Sequence, residues 1–96
     1  MHQQVDPGDL RLPPDRADGP DAFKLADQIR EFGDSTDAMP PLWVTVGAGN
    51  EMMINNGVTR AYRVFTLSPG TTVPVEIVEV TDFDFSHLLR IRDVAP

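Results

Sequence analysis

The chain contains no cysteine, which excludes disulfides, a thiolate nucleophile and any zinc site built on thiolates. It has little positive charge: eight Lys and Arg stand against fifteen Asp and Glu, a formal net charge of −7. Non-specific affinity for nucleic acid comes from neutralising phosphates, so a chain this acidic has no general pull toward that partner. Any phosphate contact needs a local basic site. No apolar run approaches the ~20 residues that a bilayer-spanning helix requires. The opening Met1-His2-Gln3-Gln4-Val5-Asp6 lacks the basic and apolar regions of a secretory signal. The expectation is a cytoplasmic protein without a membrane partner. Aromatics are few, with one Trp, one Tyr and five Phe, yet 41% of the residues are hydrophobic. That is enough for one core, and 96 residues are too few for two domains.

The charge is unevenly spread. Residues 1–51 hold ten acidic and four basic side chains, and residues 52–96 hold five and four. Arg60 and Arg63 lie close together, and Arg90 and Arg92 fall near the end.

Residues 1–20 are rich in Pro, Gly and Asp and read as an extended arm with turns, in which Val5, Leu10 and Leu12 pin one short edge strand. Asp21 then offers an N-cap, Ala22, Leu25, Ala26, Ile29 and Phe32 follow at helical spacing, and Gly33 marks the stop. This predicts an amphipathic helix covering a sheet. After Pro40-Pro41, the runs Leu42–Val46 and Glu51–Asn55 flank Gly47-Ala48-Gly49-Asn50 and predict a β-hairpin. Thr72–Val80 predicts a strand with Val73, Val75, Ile77 and Glu79 on one face and Pro74 near its start or on an edge. The tail from Asp82 admits two readings. Ser86 caps a short helix through Leu88, Leu89 and Ile91, or Phe83, Phe85, His87, Leu89 and Ile91 alternate as a strand.

Between residues 57 and 67 propensity and periodicity conflict. Val58, Thr59, Tyr62, Val64, Phe65 and Thr66 favour β structure, and Asn56-Gly57 is a hairpin signal. The apolar set Val58, Ala61, Tyr62 and Phe65 nevertheless keeps the i, i+3, i+4, i+7 spacing of a helix. A helix opening here presents unpaired backbone N–H groups and the positive end of its dipole. Gly57 allows close backbone approach, Thr59 supplies a hydroxyl, and Arg60 supplies a guanidinium fork suited to phosphate oxygens. Asn55 and Asn56 add amides at the mouth. The plainer alternative is a turn followed by a surface cation.

The order of these elements is a Pro-rich arm, a helix ending at Gly33, the strand after Pro40-Pro41, a hairpin, Gly57-Val58-Thr59-Arg60 opening a helix, and Val73-Pro74-Val75. It resembles the ParB-like N-terminal domain, whose outline sulfiredoxin shares, over about residues 5–80. The resemblance implies a small α+β domain over residues 5–96, with a short mixed β-sheet and two or three helices packed against it. It implies helix at 58–67 and matches Gly57 and Arg60 to the superfamily's phosphate-contacting positions. Arg63, where the family usually has a small residue, lies one helical turn from Arg60 and either shares its ligand or faces water.

The departures narrow the function. Val58 stands where sulfiredoxins carry their catalytic Cys, so that reductase chemistry is excluded. ParB's Glu-Arg-Arg stretch is replaced by Val58-Thr59-Arg60, and no helix-turn-helix segment follows within the chain. The leading expectation is a stand-alone regulatory or accessory domain binding a nucleotide, with or without Mg²⁺, or another phosphate-bearing ligand. The alternatives are a partner or immunity-type interaction protein with a degenerate site, and a ParB-like nuclease or small phosphotransferase using Glu51, Glu76 or Glu79 as base. Asp82, Asp84 and His87 resemble a hard-metal cluster only superficially and read as a solvated acidic loop, so no metal site is assigned. Trp43, Met52 and Met53 fill the core or, if exposed, mark a partner surface.

Overall fold

The computed structural model describes residues 2–95. They form strands β1 (His2–Val5), β2 (Leu42–Val46), β3 (Met52–Asn56) and β4 (Val73–Val80), and helices α1 (Ala22–Phe32), α2 (Val58–Leu67) and α3 (Ile91–Val94). The strands make one mixed sheet in the order β1-β4-β2-β3. β2 and β4 are parallel, while β1 on β4 and β3 on β2 are antiparallel. The protein is a small α+β domain.

Leu42, Val44, Ile54, Val73 and Val75 share the inner face and are completely buried against Ala61 and Val64 of α2, Leu10, Leu12 and Ile91. Val58, Ala61 and Val64 carry α2 onto this core despite the modest helix propensity of its sequence. Burying one helical face outweighs a propensity deficit of a few tenths of a kcal/mol per residue, since each buried Val contributes on the order of 1.5–3 kcal/mol. On the other side of the sheet, Trp43 is 49% exposed and Glu79 is exposed.

Asp21 caps α1 by accepting from the backbone N–H groups of Phe23 and Lys24, and Gly33 closes the helix at φ +57°. α1 has no fully buried residue and packs on α2, with Leu25 and Ile29 half-buried. It therefore lies over its neighbouring helix, not directly on the sheet as the periodicity suggested.

The segment expected to be an arm is built into the domain. β1 forms the edge strand beside β4, and Leu10 and Leu12 are each 1% exposed. Between them, the Arg11 backbone lies along β3: its N–H donates to Met52 O and its C=O accepts from Ile54 N–H. Arg92 of α3 holds the same segment by ion pairs to Asp9 (2.7 Å) and Asp6 (3.4 Å). Pro74 sits at the second position of β4, opposite Gln4.

Two register shifts alter the expected faces. Val44 pairs with Ile77 but Thr45 with Glu79, so Val78 is an extra residue. The bulge turns Glu79 away from Val73, Val75 and Ile77, and its carboxylate accepts from Thr45 Oγ1. The second shift makes Asn55 extra between the Trp43–Asn56 and Val44–Ile54 pairs. The tail follows neither reading in full. A turn at residues 86–88 precedes α3, which begins at Ile91 because Asp93 accepts from the Arg90 backbone N–H.

Candidate functional site

The bulge at Asn55 and the turn at Gly57 bring β3 directly into the N-terminus of α2. Gly57 has φ +110° and ψ 20°, a left-handed conformation that disfavours a side chain. A Cβ there would collide with Leu42 Cδ2 and lie 2.7 Å from Arg60 Nη2. The Arg60 guanidinium therefore folds back over the turn that opens the helix.

A cleft of about 500 Å³ opens at this point. Asn55, Asn56, Gly57, Thr59 and Arg60 line one side, and Arg16, Lys24 and Gln28 line the other. Lys24 and Gln28 are one turn apart on α1, which places them on one face. Arg16 comes from a short 3₁₀ turn (Pro14–Arg16), and its neighbour Asp15 is the one carboxylate among the lining residues.

The charge partners of the eight basic residues separate them sharply. Arg11 pairs with Glu51, Arg30 with Asp27, Arg90 with Asp93, and Arg92 with Asp6 and Asp9. Arg63 donates from Nη1 to Gly33 O (2.8 Å) and Ser35 O (2.9 Å). Among the described residues, only Arg16, Lys24 and Arg60 have no side-chain hydrogen bond or ion pair, and all three line the cleft. Burial holds the Arg60 guanidinium below its ordinary pKa. An arginine remains charged at neutral pH, so Arg60 is a partly desolvated cation without a carboxylate. Such a group gains from an incoming anion what it lost on leaving water.

The sequence-chosen residues are not all equivalent in space. Gly57, Thr59 and Arg60 meet at the cleft, and Asn56 is exposed on its wall. Asn55 also lines it, but its amide nitrogen donates to Thr45 Oγ1 (2.7 Å). Arg63 does not face water: it is 2% exposed, its guanidinium lies 5.4 Å from the Phe32 ring centroid, and it is absent from the cleft lining. It ties the end of α1 to α2 and borders a separate cavity. Desolvation lowers its pKa, partly opposed by Asp34.

The three candidate bases lie elsewhere. Glu51 is held by Arg11 (2.9 Å), Glu76 by His2 (2.8 Å) and Glu79 by Thr45. None lines the cleft. Among the described residues, no three His, Asp or Glu side chains gather as a metal site. Asp84 is occupied locally by the Ser86 N–H. No helix among the described residues is long and apolar enough to cross a membrane.

Sequence reasoning missed Arg16, Lys24 and Gln28. The i, i+4 spacing of Lys24 and Gln28 was a usable signal on a helix already expected, but nothing local marks Arg16. No family model, curated protein or solved structure matches this chain.

Proposed function

We propose that this chain forms a ParB-like module that binds a nucleotide or another phosphate-bearing ligand at the N-terminus of α2, in a regulatory or accessory role. One observation carries the reading. On a protein of net charge −7, the three basic side chains lacking any partner among the described residues converge on one cleft, beside the first turn of a ten-residue helix. Helix N-terminal N–H groups, a guanidinium fork and two further cations form a complementary surface for phosphate oxygens. The Gly57–Arg60 motif and the order of elements around it support placing this domain beside the ParB-like group.

Thermal shift of the whole chain against nucleoside di- and triphosphates, with and without Mg²⁺, tests the proposal. The expected result is a rise in Tm with at least one of them, lost in Arg60→Ala. No rise with any of them, together with no binding of simple phosphate monoesters, would sink the reading.

A second reading, a partner or immunity-type interaction module with a degenerate site, is favoured by the half-exposed Trp43 on the sheet face opposite the core. Nuclease or phosphotransferase action ranks below both, because Glu51, Glu76 and Glu79 are engaged away from Arg60.

A further inference from the structure

A second cavity, of about 180 Å³, lies beside the cleft, and Gln28 and Arg60 line both. Its chemistry is different. Phe32, Met39 and Pro40 supply apolar wall, and Arg63 supplies a buried guanidinium. That guanidinium is incompletely used: Nη1 serves two backbone carbonyls, Nε is sealed without a partner, and Nη2 makes no hydrogen bond among the described residues. Because Arg63 is 2% exposed and its guanidinium faces Phe32, the wall open to a ligand is mainly the apolar one, which suits an apolar ring.

We infer that the ligand of the cleft is a phosphate ester of a compact, single-ring compound, with the phosphate beside Arg60 and the ring in this second cavity. The inference rests on the anion-cleft reading and adds the class of group attached to the phosphate. Size sets the limit: 180 Å³ corresponds to about six waters at the density of the liquid. One six-membered ring fills most of that space, and a second fused ring would protrude from it. Arg60, which borders both spaces, acts as the divider between them.

The test uses three simple probes, methyl phosphate, phenyl phosphate and 1-naphthyl phosphate, titrated into the whole chain and followed by ¹H–¹⁵N NMR. Phenyl phosphate is expected to bind about tenfold more tightly than methyl phosphate, from burial of the ring's apolar surface, and naphthyl phosphate no better than phenyl. Asp37 is exposed and lines the second cavity, so Asp37→Trp fills that space without disturbing the core. The phenyl-to-methyl ratio should fall to about one in Asp37→Trp and persist in Asp37→Asn, which removes the same charge without bulk. Using the ratio cancels the effect of charge common to both probes. Equal affinity for methyl and phenyl phosphate, both lost in Arg60→Ala, overturns the ring cavity and leaves the cleft standing. A phenyl advantage that survives Asp37→Trp, or tighter binding of naphthyl phosphate, also overturns it. Failure of all three probes to bind overturns the cleft reading itself.

Discussion

Replacing Gly57 by Ala tests the local geometry on which the cleft depends. Two costs follow from the structure. At φ +110° the alanine backbone sits in a left-handed region, at about 1–2 kcal/mol. The new Cβ also strikes Leu42 Cδ2, and Leu42 is fully buried, so the side chain that must give way lies inside the core. Overpacking of that kind costs about 1–3 kcal/mol. The sum, about 2–5 kcal/mol, corresponds in a domain of this size to a fall in Tm of roughly 10 °C or more. Calorimetry or denaturant titration measures it. Gly57→Asn helps divide the two contributions, because Asn tolerates positive φ better but still carries a Cβ. Its loss should remain close to that of Ala if the collision dominates. A double-mutant cycle with Leu42→Val, which removes the struck methyl, should return at least about 1 kcal/mol of coupling. A fall of less than about 3 °C in Gly57→Ala, below the 4–8 °C expected per kcal/mol, would refute the argument, as would absence of coupling to Leu42.

Arg63→Ala leaves the Gly33 and Ser35 carbonyls without their donor and opens a void under Phe32; a loss of about 2–4 kcal/mol is expected by chemical denaturation. Arg63→Met should recover part of it, because an apolar chain of similar length refills the space without the desolvation cost of the cation. Hydrogen bonding to Arg11 lowers the Glu51 pKa, so its contribution to stability is complete above the unfolded carboxyl range and is lost as pH falls below about 4.5 through the folded value. Glu51→Gln should therefore flatten the acid side of the stability–pH profile, modestly because Glu51 is about one-third exposed; an unchanged acid limb would show that the pair contributes nothing. Trp43 is the only tryptophan and is half-exposed. Its emission should be red-shifted and readily quenched by acrylamide, whereas a blue-shifted, protected indole would mean that this face of the sheet is covered.

Elements whose determinants are local were legible in the sequence. Asp21 and Gly33 delimit α1 through a cap and a positive φ, both properties of single residues. The hairpin followed from spacing; for α2, spacing only admitted a helix against the β preference of Val58, Thr59 and Val64, and the resemblance decided it, while burial of one helical face is what holds the helix. The faces of β4 were not legible beyond Ile77. A bulge at Val78 depends on how two distant strands pair, and one inserted residue reverses every side chain after it. The tail failed for a related reason: the Arg90–Asp93 capping interaction begins a helix later than Ser86 suggested. At the candidate site, Gly57, Thr59 and Arg60 stood out because they occupy one turn. Arg16 did not, since only the folded chain brings residue 16 near residue 60. The burial of Arg63 was not legible, because spacing on α2 says nothing about the loop after Gly33 that encloses it.

The placement of the first twelve residues has a consequence for solubility. β1 covers the free side of β4 at one edge of the sheet, and the Arg11 backbone covers part of β3 at the opposite edge. One short segment thus blocks part of the β3 margin and replaces the eight-residue margin of β4 with that of a four-residue strand, which limits strand addition by a neighbouring molecule. Its removal would uncover two unpaired β margins at once, one on each side. Two such margins permit end-to-end growth, where a single one stops at a dimer. The proline- and aspartate-rich segment that first reads as an extended arm is thus the part of the chain that borders the sheet on both sides.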